Sequence, residues 1–402
     1  MSGSRVGFVL ALAVASPVLG QQPAQGLRIA TWNVENLSAD EPAWRVRELG
    51  DDLVRLGADL VFLQEVESRA AARTLQRELA ARGLSGYEVW SVENPRLAQE
   101  VVLLGKVRPA QFRAYDFQGM GDRLDRVVWA DFSLPGGRLR CVAAHLKAGV
   151  QDGGDARRRN DQVRQVVRDL VRPALSAGTR VILLGDLNDI DPEVRYSNGR
   201  SPDPASRVFE LLRDQAPELR NTDGDLPLRQ RVSTTHGYMF DHVVADARLA
   251  GLVGVARPSR RDGRPPSDHF PLTYDLAPLH AVPLRQARSP EAEVPPRGTA
   301  RDRFEATAPG TVLGAVAVRV VLGHARTEDL EVRLTHAGRS VVLLQAGDGG
   351  EGTLDRRFVT EALAGTPAAG AWELEVEDRD GGRGAGTLRS WALQAAVVPA
   401  AP

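Results

Sequence analysis

The sequence predicts a layered α/β domain of about 250 residues followed by an all-β domain of about 100. Three observations carry that reading. Strand-like and helix-like segments alternate from Leu27 to Leu276, a proline-rich stretch breaks the pattern between Ala277 and Gly298, and helical periodicity is lost beyond it. At 402 residues the chain is long for one domain. With 43% hydrophobic and 26% charged residues it has the apolar content to bury a core, which excludes wholesale disorder.

The elements follow in order. Residues 27–34 alternate as a strand, and 44–56 set Trp44, Leu49, Leu53 and Leu56 at helical spacing. Residues 60–65 are a short apolar run, and the Ala-, Leu- and Arg-rich 70–81 is helical. Strands are expected at 87–91, 101–104, 126–132 and 139–144. A long amphipathic helix is expected over 157–175, with Val163, Val166, Val167, Leu170 and Val171 along one side. A buried-type strand at 181–185, a short helix at 208–212 and strands at 241–245 and 272–276 close the region, which is assigned as 25–276. In 277–298, Pro278, Pro283, Pro290, Pro295 and Pro296 with Glu291 and Glu293 imply a stiff polar linker. Beyond it, 312–322, 329–335, 340–345, 371–377 and 388–397 are strand-like, with Gly-rich turns such as Asp348-Gly349-Gly350 between them. A sandwich or jelly roll over 299–398 follows.

The N-terminus has Arg5, an apolar run from Val6 to Val14, then Ser16, Pro17 and Gly20. This reads as a signal peptide within 1–24, cut near Gly20 or Ala24, and makes the protein secreted or periplasmic. The run is too short for a bilayer core of about 30 Å, and no later stretch offers the ~20 apolar residues needed, so no stable membrane insertion is expected. Cys141 is the one cysteine, so no intramolecular disulfide can form; in an apolar run it reads as a core residue rather than a nucleophile. The 51 basic and 52 acidic residues give a net charge of −1, which leaves no footprint for tight nucleic-acid binding. A transient contact with DNA or RNA stays open, and a monomer is expected.

The chemistry lies where apolar strands run out into carboxylates, amides and imidazoles, the positions from which layered α/β folds build their sites. Thr31-Trp32-Asn33-Val34-Glu35-Asn36 ends the first strand and Gln64-Glu65-Val66 the next apolar run. A hard cation such as Mg²⁺ takes oxygen ligands and keeps several waters, so Asn33 and Glu65 suffice as a candidate pair. His145, followed by Leu146 and Lys147, is placed to donate to a phosphoryl oxygen. In Gly185-Asp186-Leu187-Asn188-Asp189, residues 186 and 188 share a face on extended backbone, so Asp186 can orient or deprotonate a water while Asn188 donates to the phosphoryl group. Asp241, in Phe240-Asp241-His242, is a candidate carboxylate for His269, in Ser267-Asp268-His269, because such a partner fixes the tautomer and steadies the imidazolium. Asp268 falls near the metal, and His242 reads as packing. Taken singly, each motif also fits a bland structural role; their order and shared position at strand ends carry the case.

The ordered series Trp32-Asn33-Val34-Glu35-Asn36, Gln64-Glu65-Val66, His145-Leu146-Lys147, Gly185-Asp186-Leu187-Asn188, Asp241-His242 and Ser267-Asp268-His269 resembles the endonuclease/exonuclease/phosphatase superfamily. That superfamily holds DNase I-like nucleases, abasic-site endonucleases, inositol-polyphosphate phosphatases and bacterial sphingomyelinases. The resemblance implies a four-layered sandwich of two mostly antiparallel sheets flanked by helices, and metal-assisted attack of water on a phosphoester with no covalent intermediate. It makes Asn33, Glu65 and Asp268 metal-site residues and His145, Asp186, Asn188, Asp241 and His269 catalytic. Mg²⁺ is the implied ion, with Mn²⁺ or Ca²⁺ as alternatives. Many members carry a catalytic Tyr or Arg before the first His motif, and here Tyr115, Arg123 and Arg126 are available. Arg126 is the preferred phosphate contact, with Lys147 and the basic run Arg157-Arg158-Arg159-Asn160 as further candidates.

The tail has its own likeness. Residues 316–322, His324, Asp329-Leu330-Glu331-Val332, Gly370-Ala371-Trp372-Glu373-Leu374, Glu377-Asp378 and 386–393 are similar to the P domain (P/Homo B) of proprotein convertases, a β jelly roll. Trp372 and Trp391 are expected in its core, and another protein or Ca²⁺ is the partner expected for the tail. The leading reading is a secreted phosphodiesterase, nuclease first. The alternatives are a phosphatase or phospholipase C-type enzyme for inositol phosphates, sphingomyelin or other small phosphoesters, and a non-catalytic binding module.

Overall fold

A computed structural model describes residues 26–92, 99–118, 127–149, 153–196, 203–258, 265–380 and 384–400. The expected signal segment, Arg123 and the preferred phosphate contact Arg126 lie outside the described residues.

Strand alternation builds the layers. In Leu27–Leu37, Leu27 and Ile29 enter one apolar core while Ala30, Trp32 and Val34 enter another, because successive side chains leave opposite faces of a strand. The first sheet has six strands in the order Gly251–Val255, Leu272–Leu276, Leu27–Leu37, Leu60–Val66, Glu100–Gly105, Glu88–Trp90. The second runs Gln111–Ala114, Val127–Leu134, Gly137–His145, Arg180–Asp186, Asp241–Asp246, Leu219–Asn221. Two neighbouring pairs are parallel, Leu27–Leu37 with Leu60–Val66 and Gly137–His145 with Arg180–Asp186; the other pairs are antiparallel. The sheets face each other across a core holding Ile29, Phe62, Leu103, Cys141 and Ile182. Helices Ala43–Leu56 and Arg69–Ala81 cover the outside of the first sheet, with Leu49, Leu53, Leu75 and Leu79 against Trp32 and Leu63. Gly153–Val166 and Val208–Gln215 cover the outside of the second. Helix, sheet, sheet and helix are the four layers that the resemblance implies. Cys141 is fully buried, as its apolar run predicts.

The long helix expected over 157–175 is interrupted. It runs as Gly153–Val166, a wide π turn Val167–Val171 and a last piece Arg172–Ser176. Pro173 has no N–H to return to residue 169, and the wider turn just before it absorbs the missing bond. Gln111–Ala114, Leu219–Asn221 and Gly251–Val255 escape the sequence reading because they are short, peripheral and only part-buried.

The stretch 277–298 differs most from its expectation as a linker. Val282–Arg288 and Ala292–Val294 are strands, both paired antiparallel with Gly386–Val398. Pro283 is accommodated because Val282–Arg288 is an edge strand. The remaining strands form a sandwich. One sheet adds Thr311–Arg326 and Glu351–Thr360 to these, and the other runs Thr299–Ala306, Gly370–Asp378, Leu330–His336, Arg339–Leu344. Thr299–Ala306 turns Ala300, Phe304 and Ala306 inward and Arg301, Arg303 and Glu305 outward. Its alternation is regular, but the many charges hide it. Trp372 and Trp391 are buried in this core, where Trp372 donates to Ala368 O and Trp391 to Asp302 Oδ2. No helix among the described residues is long and apolar enough to cross a membrane.

Candidate active site

Three site residues sit abreast at the same end of neighbouring strands. His145 is the register partner of Asp186, and Asp186 that of Asp241, across Gly137–His145, Arg180–Asp186 and Asp241–Asp246. The facing sheet brings Asn33 and Glu65 from the ends of Leu27–Leu37 and Leu60–Val66. Its other contribution is the loop of Ser267, Asp268 and His269, bridged to Thr234.

The backbone at these ends is held in a conformation it would not choose. Glu35, Asn36, Glu65 and Asn188 all have positive φ, at 51°, 54°, 59° and 50°. Each such non-glycine residue costs of order 1 kcal/mol and persists where surrounding contacts dictate it. Those contacts are visible. Asn36 N–H donates to Glu65 Oε2, and Glu35 N–H to Asn33 Oδ1. Arg45 holds the turn from outside through Glu35 O and reaches Pro266 O, so one guanidinium ties two site loops together. Ser267 Oγ donates to Asn33 O at 2.7 Å and accepts from His269 N–H. Gly185, at φ 128°, cannot be replaced: a Cβ there would lie 2.0 Å from Ala144 O.

Glu65 Oε1 and Asp186 Oδ2 converge. Both accept from Asn33 Nδ2, at 3.0 and 3.1 Å, and both lie 3.7 Å from His145 Nε2. Asn33 therefore turns its nitrogen to the carboxylates, and its oxygen, expected to face a cation, accepts Glu35 N–H instead. On the other side of Asp186, Asp241 Oδ2 stands 2.7 Å from His269 Nδ1. His269 Nε2 is 3.9 Å from both Asp186 Oδ2 and Asp268 Oδ1. Asp268 is 39% exposed at its side chain, at the mouth of the site, whereas Asp186 and Asp241 are buried.

Burial pushes Asp186 up to about 7; the charge of Asp241 adds to this, and His269 and the hydrogen bonds from Asn33 and Asn188 oppose it. For His269, burial alone would lower the value, but the charge and hydrogen bond of Asp241, aided by Asp186 and Asp268, raise it to about 10. The site thus pairs a carboxyl group that ionises near neutrality with an imidazolium that keeps its proton.

The donor set fits a hard divalent cation. Glu65 and Asp186 present carboxylate oxygens to one point, and Asp241 Oδ1 is buried with no hydrogen-bond partner. Oxygens of Asp186 and Asp241 and a ring nitrogen of His269 also lie within 4.8 Å of one another, but an imidazolium has no lone pair to give a cation, so only the two carboxylates of this group can serve as ligands. This group differs from the expected Asn33, Glu65 and Asp268 but adjoins them, through Asn33 Nδ2 on Asp186 and through His269 beside Asp268.

Several candidates sit elsewhere. Lys147 Nζ turns to Asp155 at 3.2 Å and to Ala148 O. Tyr115 is tied to Asp169 on the helix layer. Arg159, fully buried, is no phosphate contact: it donates to Lys147 O and Gly149 O and pairs with Asp203, fixing the loop after His145. Asn188, by contrast, stays beside Asp186, its N–H donating to Asp186 Oδ1 at 3.0 Å and its Nδ2 to Leu146 O at 3.2 Å. Gln99, which stands in no sequence motif, donates to Glu65 Oε2 at 3.2 Å. Asp223 and His242, a fully buried pair, likewise give no sign of each other in the sequence.

Fold and site together define a phosphoesterase class in which acidic and imidazole side chains meet where two stacked sheets end. The family model described as "Endonuclease/Exonuclease/phosphatase family" matches residues 30–269, and that of the proprotein convertase P-domain matches 313–395. The chain belongs to the endonuclease/exonuclease/phosphatase family, followed by a P-domain, and is a metal-dependent phosphoric ester hydrolase. It is 24% identical over 271 residues to tyrosyl-DNA phosphodiesterase 2 of Xenopus laevis, covering 65% of this chain and 69% of that protein. Among solved structures, D. rerio TDP2 complexed with a single-strand DNA product is 17% identical and covers 63% of this chain and 98% of its own, with a TM-score of 0.47. An endonuclease/exonuclease/phosphatase from Beutenbergia cavernae is 19% identical and covers 92% of this chain and 99% of its own, also at 0.47.

Proposed function

We propose that the protein is an exported hydrolase of phosphodiester bonds, acting first on nucleic acid, with Mg²⁺ as the working ion. The convergence of Glu65 Oε1 and Asp186 Oδ2 beside the Asp241–His269 pair carries this reading. When bound, the cation, held by Glu65 and Asp186 with Asn33 and Asp268 beside them, supplies Lewis-acid polarisation and charge neutralisation. Asp186, as the carboxylate, orients a water and takes its proton as the water attacks phosphorus and the P–O bond to the leaving oxygen breaks, the departing alkoxide taking a proton from solvent. His269, kept protonated by Asp241, donates from Nε2 to a phosphoryl oxygen, and His145 donates beside it. Asn188 spends one amide hydrogen on Leu146 O and has a second for the phosphoryl group.

The Xenopus relative is named for a phosphodiester that joins tyrosine to DNA, so a tyrosyl-DNA oligonucleotide joins plasmid DNA, RNA, bis-p-nitrophenyl phosphate, sphingomyelin and inositol phosphates in the test panel. Each is assayed with Mg²⁺, Mn²⁺ or Ca²⁺. Turnover of a diester that EDTA and Glu65→Ala both abolish supports the reading. Activity that survives EDTA, or a His269→Ala enzyme as fast as wild type, overturns it. N-terminal sequencing of periplasmic or medium fractions tests export.

A further inference from the structure

Behind the site lies a buried ion pair that the mechanism does not use. His242 follows Asp241 on the strand, so its side chain leaves the opposite face and packs its ring edge-on to Phe209 of the helix layer. Its Nδ1 is 2.7 Å from Asp223 Oδ2 and its Nε2 is 2.8 Å from Asp189 O. A carboxylate and a carbonyl can only accept, so both ring nitrogens carry hydrogen and the ring is a buried imidazolium. Asp223 is fixed in turn by Tyr196 Oη and Asn221 Nδ2, and its backbone N–H donates to Asn221 Oδ1.

The carbonyl that His242 holds has a special place. Asp189 follows Asn188, whose φ of 50° makes the segment from Gly185 a strained turn. On its near side the turn is held by Leu146 N–H to Asp186 O and Leu187 N–H to Phe240 O. On its far side the backbone is held at Asp189 O. The two side chains that this turn aims are Asp186 and Asn188.

We propose that His242 is a positioning residue, whose Nε2–H on Asp189 O fixes the turn that directs Asp186 and Asn188 at the phosphoryl group. The proposal rests on the phosphoesterase reading above. Losing such outer support around a site costs about 10–100-fold in activity. Amide replacements separate the two ring nitrogens. The side-chain NH₂ of Asn takes the place of Nδ1, keeping the Asp223 contact and losing Asp189; that of Gln takes the place of Nε2 and does the reverse.

The test measures kcat and KM for bis-p-nitrophenyl phosphate with Mn²⁺ on wild type, His242→Asn and His242→Gln, with the folded fraction fixed by circular dichroism. The expected result is a kcat at least tenfold lower for His242→Asn with KM within twofold, and most of kcat restored in His242→Gln, although both variants melt lower than wild type. Equal kcat per folded molecule in His242→Asn and wild type, or equal losses in the two variants, shows a merely structural role and overturns the proposal. If His242→Asn does not fold, His242→Gln still decides, since a folded Gln variant slowed more than tenfold also overturns it. A wild type inactive on the whole panel removes the phosphoesterase reading itself.

Discussion

Asp186 and Asp241 are direct register partners on antiparallel strands, two buried carboxyl groups side by side with the His269 ring reaching both. Like charges set opposite each other destabilise a sheet, and the protein resolves the conflict by dividing the protons. Asp186 holds its proton until about pH 7, and His269 holds its own until about pH 10.

A bell-shaped rate profile follows. Catalysis needs Asp186 ionised and His269 protonated, so kcat rises through the Asp186 value and falls through that of His269. A bound divalent cation stabilises the carboxylate and draws the acid limb below 7. Asp241→Asn removes the charge that keeps His269 protonated. Its alkaline limb is expected to move toward the ordinary imidazole value, with kcat lowered about 10²–10⁴-fold. A pH–rate series on the two enzymes checks this, and an unmoved alkaline limb contradicts it.

Metal removal reads the same charges through stability. Both groups have folded values above their ordinary ones, so each stabilises the fold fully at low pH and loses that contribution as pH rises. For Asp186 the loss runs from about 4 through 7, and for His269 from about 6.5 through 10. EDTA-treated protein should therefore melt at falling temperature from pH 5 to 9. Added Mg²⁺ or Mn²⁺ should restore most at the alkaline end, where the cation replaces a proton already lost. Melting curves across pH with and without metal are the check; a metal effect largest at pH 5 would be the wrong sign.

The residues legible in the sequence were those whose strand end announced them. His145 and Asp186 each close an apolar run and Asp241 opens one, and the parallel and antiparallel pairing of their strands puts all three on one edge. The sequence around His242 shows only a packing role, because its partner Asp223 lies 19 residues away in a short turn with no periodicity. The role of Arg159 was hidden by its two basic neighbours, since a run of arginines gives no sign of which one turns inward. In 277–298 the prolines outweighed a strand whose pairing partner, Gly386–Val398, is about a hundred residues distant. Proline content reports local stiffness, while an edge strand is made by its neighbour's ladder.

The two sandwiches meet through charged contacts. Asp355 accepts a bidentate pair from Arg319, both bonds at 2.8 Å, and its Oδ2 also accepts Leu228 N–H; Arg319 reaches on to Gly224 O. Asp355→Ala leaves the guanidinium and that N–H without their acceptor and should cost about 1–3 kcal/mol. Burial opposes it, but Arg319 and Leu228 hold the Asp355 carboxyl below its usual value, so the contribution is present above about pH 4 and fades below it. Denaturant melts of both proteins at pH 7 and pH 3 test this, and an equal gap at the two pH values argues against it.

Gly185 gives the sharpest test of the site's backbone. Its φ of 128° is open only to glycine, and a methyl group would meet Ala144 O at 2.0 Å, a backbone atom of the neighbouring parallel strand that cannot rotate away. Gly185→Ala must therefore part Gly137–His145 from Arg180–Asp186 or twist the turn, and either motion separates His145 from Asp186. Where enough protein folds to assay, kcat should fall about 10²-fold or more, because about 1 Å of misplacement has that effect. The expected loss of stability is a few kcal/mol, from strain and overpacking together. A Gly185→Ala enzyme with wild-type melting temperature and kcat would show that the ends of these two strands are free to shift without disturbing the chemistry.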